Sequence, residues 1–367
     1  MIRFNNQPQQ ATATLGTGQA STNVWGLTNT FVSPNNGNLA SQSLTVPGLS
    51  SPIATAYTWD GVNRLAKAME NASSPGAAQC SQTGSRWCRF YLYNQGGHSN
   101  AAVNSSSGGV SVNEPPGFNS NNQIAYTGSN WQYGDGRGNV TQDNALNTYS
   151  YDAENRLIQF CASGGACTTY AYDGAGRRVQ SSNSNGSTVF VYDASGELAA
   201  EYATSAPALA CSTCYLTVDH LGSTRVVTDD SGCAVFRQDY MPFGMNIVAQ
   251  TGDPRMSAGG GPNCTGTNGY AVSGSPSDMQ FAEQRQDSES GLYQFQARAF
   301  MGAPGRFMSP DPIGNFVADA GNALSWNMYS YVLNNPLRFI DPTGLECVNL
   351  DNGTQGDDGL GNPCPGA

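Results

Sequence analysis

A short motif recurs along this chain: an aromatic residue, an aspartate, two further residues, and then glycine or asparagine. The clearest copies place their aspartates at Asp60, Asp152, Asp173 and Asp193. The last three of these aspartates are about twenty residues apart, and a fixed period of that length is typical of repeat architectures. The recurrence therefore limits the fold to stacked copies of one small unit.

The chemistry of the motif indicates what that unit is. Aspartate at the first position of a turn accepts backbone N–H bonds, and glycine or asparagine at the fourth tolerates a left-handed backbone. The flanking segments alternate between apolar and polar residues, as in STVFVYD, which is the period of a β-strand. We therefore expect antiparallel β-hairpins that pair edge to edge into a curved sheet or partial shell. Each motif aspartate should begin a tight turn, and the aromatic residues before them should share one face of the sheet.

The composition agrees with a β-rich fold and excludes several function classes. Only 12% of residues are charged, and there are 44 glycines and 19 prolines, which favours turns over long helices. The net charge of -11 argues against a nucleic-acid partner, because no basic surface is available to neutralise phosphates. No apolar run is long enough for a membrane span. The start, MIRFNNQPQQ, is not a signal peptide, so we expect another export route or a longer parent chain.

Ten cysteines favour an oxidising compartment, since several occur in local pairs. The pairs are Cys80 with Cys88, Cys161 with Cys167, Cys211 with Cys214, and Cys347 with Cys364. Cys161 and Cys167 flank a Gly-Gly loop between two alternating segments, so facing strands would bring their sulfurs within bridging range. The CSTC segment could instead be half a zinc site or a redox pair. With two histidines and no second CxxC in the chain, we expect no metal and no cofactor.

Two similar acidic turns lie close to the end of the chain, in GRFMSPDPIG and in RFIDPTGL. Each contains an Asp-Pro pair followed by glycine, which fits an ordinary type I turn. If the fold brings Asp311 and Asp341 together, however, they form a carboxylate pair that holds one proton. Such a pair can activate water with one carboxylate and protonate a departing amine with the other.

Longer segments resemble a known family. YDAENRLIQF and YDGAGRRVQS are similar to YD repeats, and DHLGSTRVVTDDSG, QDYMPFG, QRQDSESGLYQFQARAF and NMYSYVLNNPLRFIDPTGL resemble the RHS repeat-associated core domain. The resemblance covers roughly residues 57–345. It implies a β-strip wound into a shell that holds a C-terminal toxin, with the core domain as a plug.

The resemblance also implies an organisation for this chain. We expect the following parts: an N-terminal segment of unknown fold (1–56), YD-repeat hairpins (57–214) with a low-complexity insert near 101–123, the core domain (215–345) with a flexible insert near 251–280, and a short tail (346–367). The repeats are too few to close a shell, and the tail is too short for a folded toxin. We expect a truncated member of the family, or a cap for a longer shell chain.

The resemblance assigns a reaction to the acidic turns. In the family, the aspartate pair cuts the chain once after the second turn, so that its own C-terminal segment is the substrate. The matching residues are Asp311 and Asp341, with Arg298 as an orienting or polarising group, and the cut falls between Leu345 and Glu346. The family also implies a secreted or cell-surface bacterial protein, with a longer shell chain, a toxin or an immunity protein as partner.

Two alternatives remain open at this stage. Exposed rows of tyrosine and tryptophan on a sheet could stack sugars, so the chain could be a non-catalytic surface protein that binds carbohydrate or a protein partner. His220 invites a triad with Ser223 and Asp219, but these residues are sequence neighbours, which is poor triad geometry.

Overall fold

The structure is a computed structural model of the whole chain. The residues that it describes are 2–5, 9–16, 24–71, 85–93, 99–103, 117–125, 128–204, 211–249, 253–262, 264, 270, 277–312, 326–345, 347–350 and 355–356. Within these ranges the regular structure is antiparallel β-strand, with short 3-10 helices at Pro254–Ser257, Phe281–Glu283 and Val332–Asn334. None of the described helices is long and apolar enough to cross a membrane. The expected mostly-β fold is confirmed.

The first sheet contains eight strands that pair in sequence order. They are β1 (Ile2–Phe4), β2 (Gln10–Leu15), β3 (Trp25–Phe31), β4 (Leu39–Thr45), β5 (Ile53–Trp59), β6 (Leu65–Asn71), β7 (Ser85–Tyr93) and β8 (Ser99–Val103). Each strand is antiparallel to the next, which is the arrangement of successive hairpins.

The second sheet contains six strands, again in sequence order, and it holds the most regular repeats. They are β9 (Thr148–Tyr151), β10 (Leu157–Cys161), β11 (Cys167–Tyr172), β12 (Arg178–Asn183), β13 (Gly186–Tyr192) and β14 (Leu198–Ala203). The aromatic residue of each motif sits at the same point of its hairpin: Tyr151 lies opposite Leu157, and Tyr172 opposite Arg178.

The remaining strands are short and form four small sheets. They are β15 (Tyr215–Val218), β16 (Thr224–Thr228) and β17 (Ala234–Arg237); β18 (Asp239–Tyr240) and β19 (Asn246–Ile247); β20 (Arg285–Gln286), β21 (Tyr293–Gln294), β22 (Ala299–Met301) and β23 (Arg306–Phe307); and β24 (Phe339–Ile340), β25 (Cys347–Asn349) and β26 (Gln355–Gly356).

The C-terminal region fills the space between the two large sheets. In the largest hydrophobic cluster, Tyr57 and Trp87 of the first sheet pack with Phe281, Phe300 and Tyr331. A second cluster joins aromatic residues of the second sheet to this same region; its members include Tyr149, Phe160, Tyr170, Leu292 and Met308. The short strands therefore form a shared core to which both sheets are anchored.

One expected boundary falls inside a strand. The boundary after residue 56 falls inside β5, so the N-terminal segment belongs to the same sheet as the first repeat. In the insert near 251–280, Arg255 and Tyr270 are buried and Cys264 is disulfide-bonded, while Met256 is exposed. In the insert near 101–123, residues 104–116 lie outside the described residues.

The described part of the tail continues the fold. Strand β25 pairs with β24 on one side and with β26 on the other. Cys347 and Asn349 are buried in this sheet. The rest of the acidic tail lies outside the described residues.

Disulfides reinforce the hairpins. The expected bridge between Cys161 and Cys167 is present, with the two Cα atoms 4.0 Å apart at the ends of paired strands. Cys211 and Cys214 also form a bridge, which takes the place of the alternative zinc site. Cys233 is joined to Cys264, a pair that sequence reasoning missed. Cys88 and Cys347 are disulfide-bonded as well, while Cys80 and Cys364, their expected partners, lie outside the described residues.

Candidate functional site

The motif aspartates organise the turns of the repeats. Oδ1 of Asp152 accepts hydrogen bonds from the amides of Glu154 and Arg156, at 3.0 and 2.9 Å, and Oδ2 pairs with Arg156 Nε at 2.7 Å. The same pair of amide bonds is made by the other three motif aspartates, Asp60, Asp173 and Asp193. Each aspartate therefore stands at the start of a turn, and its carboxylate satisfies the backbone that the turn leaves unpaired.

The aromatic residues of the motif link each hairpin to the one before it. The Tyr172 hydroxyl donates to the Leu157 carbonyl at 2.7 Å, and the guanidinium of Arg156 lies 4.9 Å from the centre of the Tyr172 ring. Tyr192 has the equivalent bond, to the Arg178 carbonyl, and the equivalent cation–π contact, with Arg177. These rings are half-buried, and each has one face covered by an arginine. They therefore do not form the open aromatic row that sugar stacking requires.

The two Asp-Pro turns meet at one arginine. Asp311 follows β23, Asp341 follows β24, and Arg298 immediately precedes β22. Arg298 Nη2 lies 3.0 Å from Oδ2 of Asp311 and 3.7 Å from Oδ2 of Asp341. The side chains of Arg298 and Asp341 are each 4% exposed, against 14% for Asp311. The fold thus brings together, in a nearly dry site, two carboxylates that are thirty residues apart in sequence.

Arg298 is held in place on every side. Its guanidinium lies 3.7 Å from the centre of the Phe307 ring, and its Nη1 donates to the Met328 carbonyl at 3.1 Å. That carbonyl also accepts the amide of Asp311 at 2.9 Å. Arginine suits this position because its planar guanidinium group can donate hydrogen bonds to several acceptors at once.

The loop that follows Asp341 is folded back onto its own carboxylate. Oδ1 of Asp341 accepts the amides of Gly344 and Leu345, at 2.7 and 3.1 Å. Gly344 has a φ of +83°, and a Cβ at this position would lie 3.1 Å from Cβ of Phe295. Glycine is therefore required here, both for its left-handed backbone and for the close approach. Arg298 Nε donates to the Gly344 carbonyl, so Gly344 is held through both its amide and its carbonyl group.

The charges at this site are unbalanced. Two carboxylates face one guanidinium, so the cluster carries one net negative charge when both acids are ionised and none when they share a proton. Tyr331 lies beside this cluster and is fully buried. Burial, and then the nearby Asp341 carboxylate, raise the pKa of Tyr331, which keeps its phenol neutral.

The histidine triad is absent from the fold. Asp219 caps a turn through the amides of Leu221 and Ser223, both at 3.0 Å. His220 Nε2 lies 3.1 Å from the Leu337 carbonyl, and Ser223 Oγ accepts the Ala282 amide at 3.0 Å. The three side chains therefore point to different partners, and each has a structural role.

Sequence reasoning missed two residues of the acidic site. Phe307 supports the guanidinium of Arg298, and Gln284 donates from Nε2 to the Pro342 carbonyl at 3.2 Å. Phe307 stands in the first Asp-Pro segment, so its position was a usable signal. Gln284 lies more than fifty residues from its acceptor, and nothing in its surroundings indicates the contact.

Comparisons with known proteins show which sequences and structures the chain resembles. A family model for the RHS Repeat matches residues 151–188. The chain is 39% identical over 80 residues to the probable deoxyribonuclease RhsA of Dickeya dadantii, which covers 22% of this chain and 5% of that protein. It is 32% identical over 127 residues to the toxin protein Tse5 of Pseudomonas aeruginosa, which covers 35% of this chain and 7% of that protein.

A solved structure resembles almost the whole chain. The crystal structure of TcdB2-TccC3 matches with a TM-score of 0.60 and 16% identity, and the match covers 94% of this chain and 18% of that one. At this identity the likeness establishes the fold alone. The chain spans less than a tenth of the length of RhsA and Tse5.

Proposed function

Because the chain belongs to the RHS/YD-repeat family of toxin carriers, we propose that it is part of such a carrier and cuts its own backbone once, between Leu345 and Glu346. Asp311 and Asp341 are the catalytic residues of this reaction. Arg298 orients them.

One observation carries the proposal: both Asp-Pro carboxylates contact the same nitrogen of Arg298, and that arginine also holds the carbonyl of Gly344. Turns that only reverse the direction of the chain do not require a shared, buried guanidinium group. Burying three charged groups is costly, and their arrangement beside a fixed backbone is typical of a reactive site.

The reaction needs one base and one acid. Asp311 is the more exposed of the two carboxylates, so it is suited to accept a proton from the attacking water. The water oxygen bonds to the Leu345 carbonyl carbon. Asp341 then gives its proton to the amide nitrogen of Glu346, and the C–N bond breaks to leave a carboxylate at Leu345 and an amine at Glu346.

The hydrogen bonds of the loop support the proposal. The amide of Leu345 is bonded to Asp341, so the catalytic group and the target residue are already in contact. An intramolecular reaction of this kind needs no separate substrate cleft, since effective molarity replaces binding. We further propose that the chain is exported and that a longer RHS shell chain is its partner, because most of the matched structure lies outside the part that this chain resembles.

Isosteric substitutions test the assignment. Asp341→Asn and Asp311→Asn should each abolish the appearance of a fragment that ends at Leu345, because asparagine can neither accept nor deliver the proton. Asp229→Asn is the matched control: Asp229 caps a turn through the amides of Ser231 and Cys233, and asparagine retains the Oδ1 acceptor. The control should be cut as the wild type is. If Asp341→Asn or Asp311→Asn is still cut, the carboxylate pair is not catalytic.

A further inference from the structure

The backbone that leads to Leu345 is held by three consecutive carbonyl groups. Each accepts a hydrogen bond from a fixed donor: Gln284 Nε2 donates to Pro342 (3.2 Å), the amide of Ala297 to Thr343 (2.8 Å), and Arg298 Nε to Gly344. Two of these donors belong to the segment of Arg298. The third, Gln284, comes from a separate part of the chain.

The segment before Gln284 has an unusual backbone. Ala282 and Glu283 have φ values of +50° and +60°, in the left-handed region that residues other than glycine seldom adopt. The segment is held there by Ser223 Oγ, which accepts the Ala282 amide at 3.0 Å, and by the buried ring of Phe281. Strained backbone persists where surrounding contacts fix it, and it is concentrated at functional sites.

The side chain of Gln284 is fixed as firmly as its backbone. It is 9% exposed, and its Nε2 donates to the Ala282 carbonyl at 3.3 Å as well as to Pro342. Pro342 has no N–H, so its own backbone can be tied only through the carbonyl oxygen. The side-chain amide of Gln284 therefore supplies the hydrogen bond that fixes Pro342, the first residue after Asp341.

We propose that Gln284 is a positioning residue for the self-cleavage described above, on which this inference rests. By fixing the Pro342 carbonyl, Gln284 sets the rotation of the loop and thereby directs the Leu345 carbonyl towards the carboxylate pair. Loss of this bond leaves both acids and Arg298 in place but allows the target to move. A displacement of about 1 Å at a reacting group lowers a rate by roughly 100-fold.

Two substitutions separate the hydrogen bond from the shape of the side chain. Gln284→Leu removes the donor and keeps most of the volume. Gln284→Glu has the same size, but its carboxylate cannot donate, whereas its protonated form can. Gln296→Glu is the matched control, because Gln296 is exposed and lines the same cavity of about 360 Å³ as Gln284 and Pro342.

The rate of cutting can be followed by pulse-labelled cell-free synthesis under oxidising conditions, with the fragment that ends at Leu345 quantified over time. We expect both Gln284 variants to cut about 10- to 100-fold more slowly than wild type at neutral pH. Relative to wild type at each pH, Gln284→Glu should recover as the pH falls, while Gln284→Leu should not. The Gln296→Glu control should match wild type throughout.

The outcomes distinguish failure of the role assigned to Gln284 from failure of the proposed self-cleavage. If wild type cuts and Gln284→Leu cuts equally fast, Gln284 has no positioning role and the inference fails alone. If Gln284→Glu stays slow at every pH and also unfolds at lower urea than wild type, its role is only structural. If wild type does not cut, the proposed function fails and the inference fails with it.

Discussion

Arg178 donates from Nη1 to both carboxylate oxygens of Asp287, at 2.6 and 2.8 Å. Arg178 belongs to the second repeat sheet, in β12, while Asp287 follows β20 of the C-terminal core, so this pair joins the two parts. Both side chains are buried. Burial alone would lower the pKa of Arg178, but the Asp287 carboxylate together with the nearby Tyr172 and Tyr170 raises it, so the arginine stays charged.

Breaking this pair from one side should destabilise the chain strongly. Arg178→Met leaves a buried, unpaired carboxylate, and we expect a loss of about 3–5 kcal/mol in the free energy of unfolding measured in urea. The double variant Arg178→Met with Asp287→Leu should recover much of that loss. Arg137→Met is the control, since Arg137 is 39% exposed and its pair with Asp135 should be worth about 0–1 kcal/mol. Equal losses for Arg178 and Arg137 would mean that the sheet is not anchored by the buried pair.

The disulfides should contribute according to the length of chain that they close. Replacing Cys161 and Cys167 by serine opens a loop with a sequence separation of 6, for which the chain-entropy relation gives about 2 kcal/mol. Replacing Cys233 and Cys264 opens a separation of 31, for which it gives roughly 3–4 kcal/mol. Urea unfolding of the two double variants measures both losses. Ready alkylation of Cys161 in the folded, unreduced protein would contradict the first bridge.

The aspartate of a repeat turn should matter more where it also binds an arginine. Asp152→Ala removes two amide bonds and the pair with Arg156, and we expect a loss of roughly 1–3 kcal/mol. In Asp193→Ala the position of the arginine is occupied by Glu197, so only the amide bonds are lost. The Asp193 variant should therefore be the milder of the two in thermal unfolding. The opposite order would show that the arginine does not stabilise the turn.

Acid should weaken the ion pair between Arg255 of the insert and Asp239 of β18. Burial would raise the pKa of Asp239, but Arg255 and Arg225 together hold it below the ordinary value of 3.8. A lowered pKa in the folded state contributes stability that is fully present above the unfolded value and is lost as the pH falls through the folded one. Between about pH 4 and pH 2, wild type should therefore lose stability more steeply than Asp239→Asn. Parallel pH profiles for the two proteins would contradict this assignment.

The sequence was sufficient to predict the local structure of the repeats. Asp152 and Asp173 head turns because aspartate at the first turn position is a local rule, and the alternating segments around them specify strands without reference to the rest of the chain. The pairing of Cys161 with Cys167 is local for the same reason. Residues 1–56 carry no such motif, so their continuity with the first sheet was not predictable.

The acidic site could be predicted only in part. The two Asp-Pro turns pointed to Asp311 and Asp341, and the resemblance to the RHS family added Arg298, while their meeting depends on how β22, β23 and β24 pack. Gln284 and the bridge from Cys233 to Cys264 join segments that are far apart in sequence. Periodicity and turn chemistry contain no information about contacts at that distance.

The intact mass of the purified wild-type chain, denatured and fully reduced, shows whether the chain cuts itself. Reduction is needed because Cys347, two residues beyond the proposed cut, is disulfide-bonded. Self-cleavage predicts one species that ends at Leu345 and a second that begins at Glu346, and a single uncut species for Asp341→Asn. A folded wild-type chain that retains its full mass would contradict self-cleavage and leave the two Asp-Pro segments as turns.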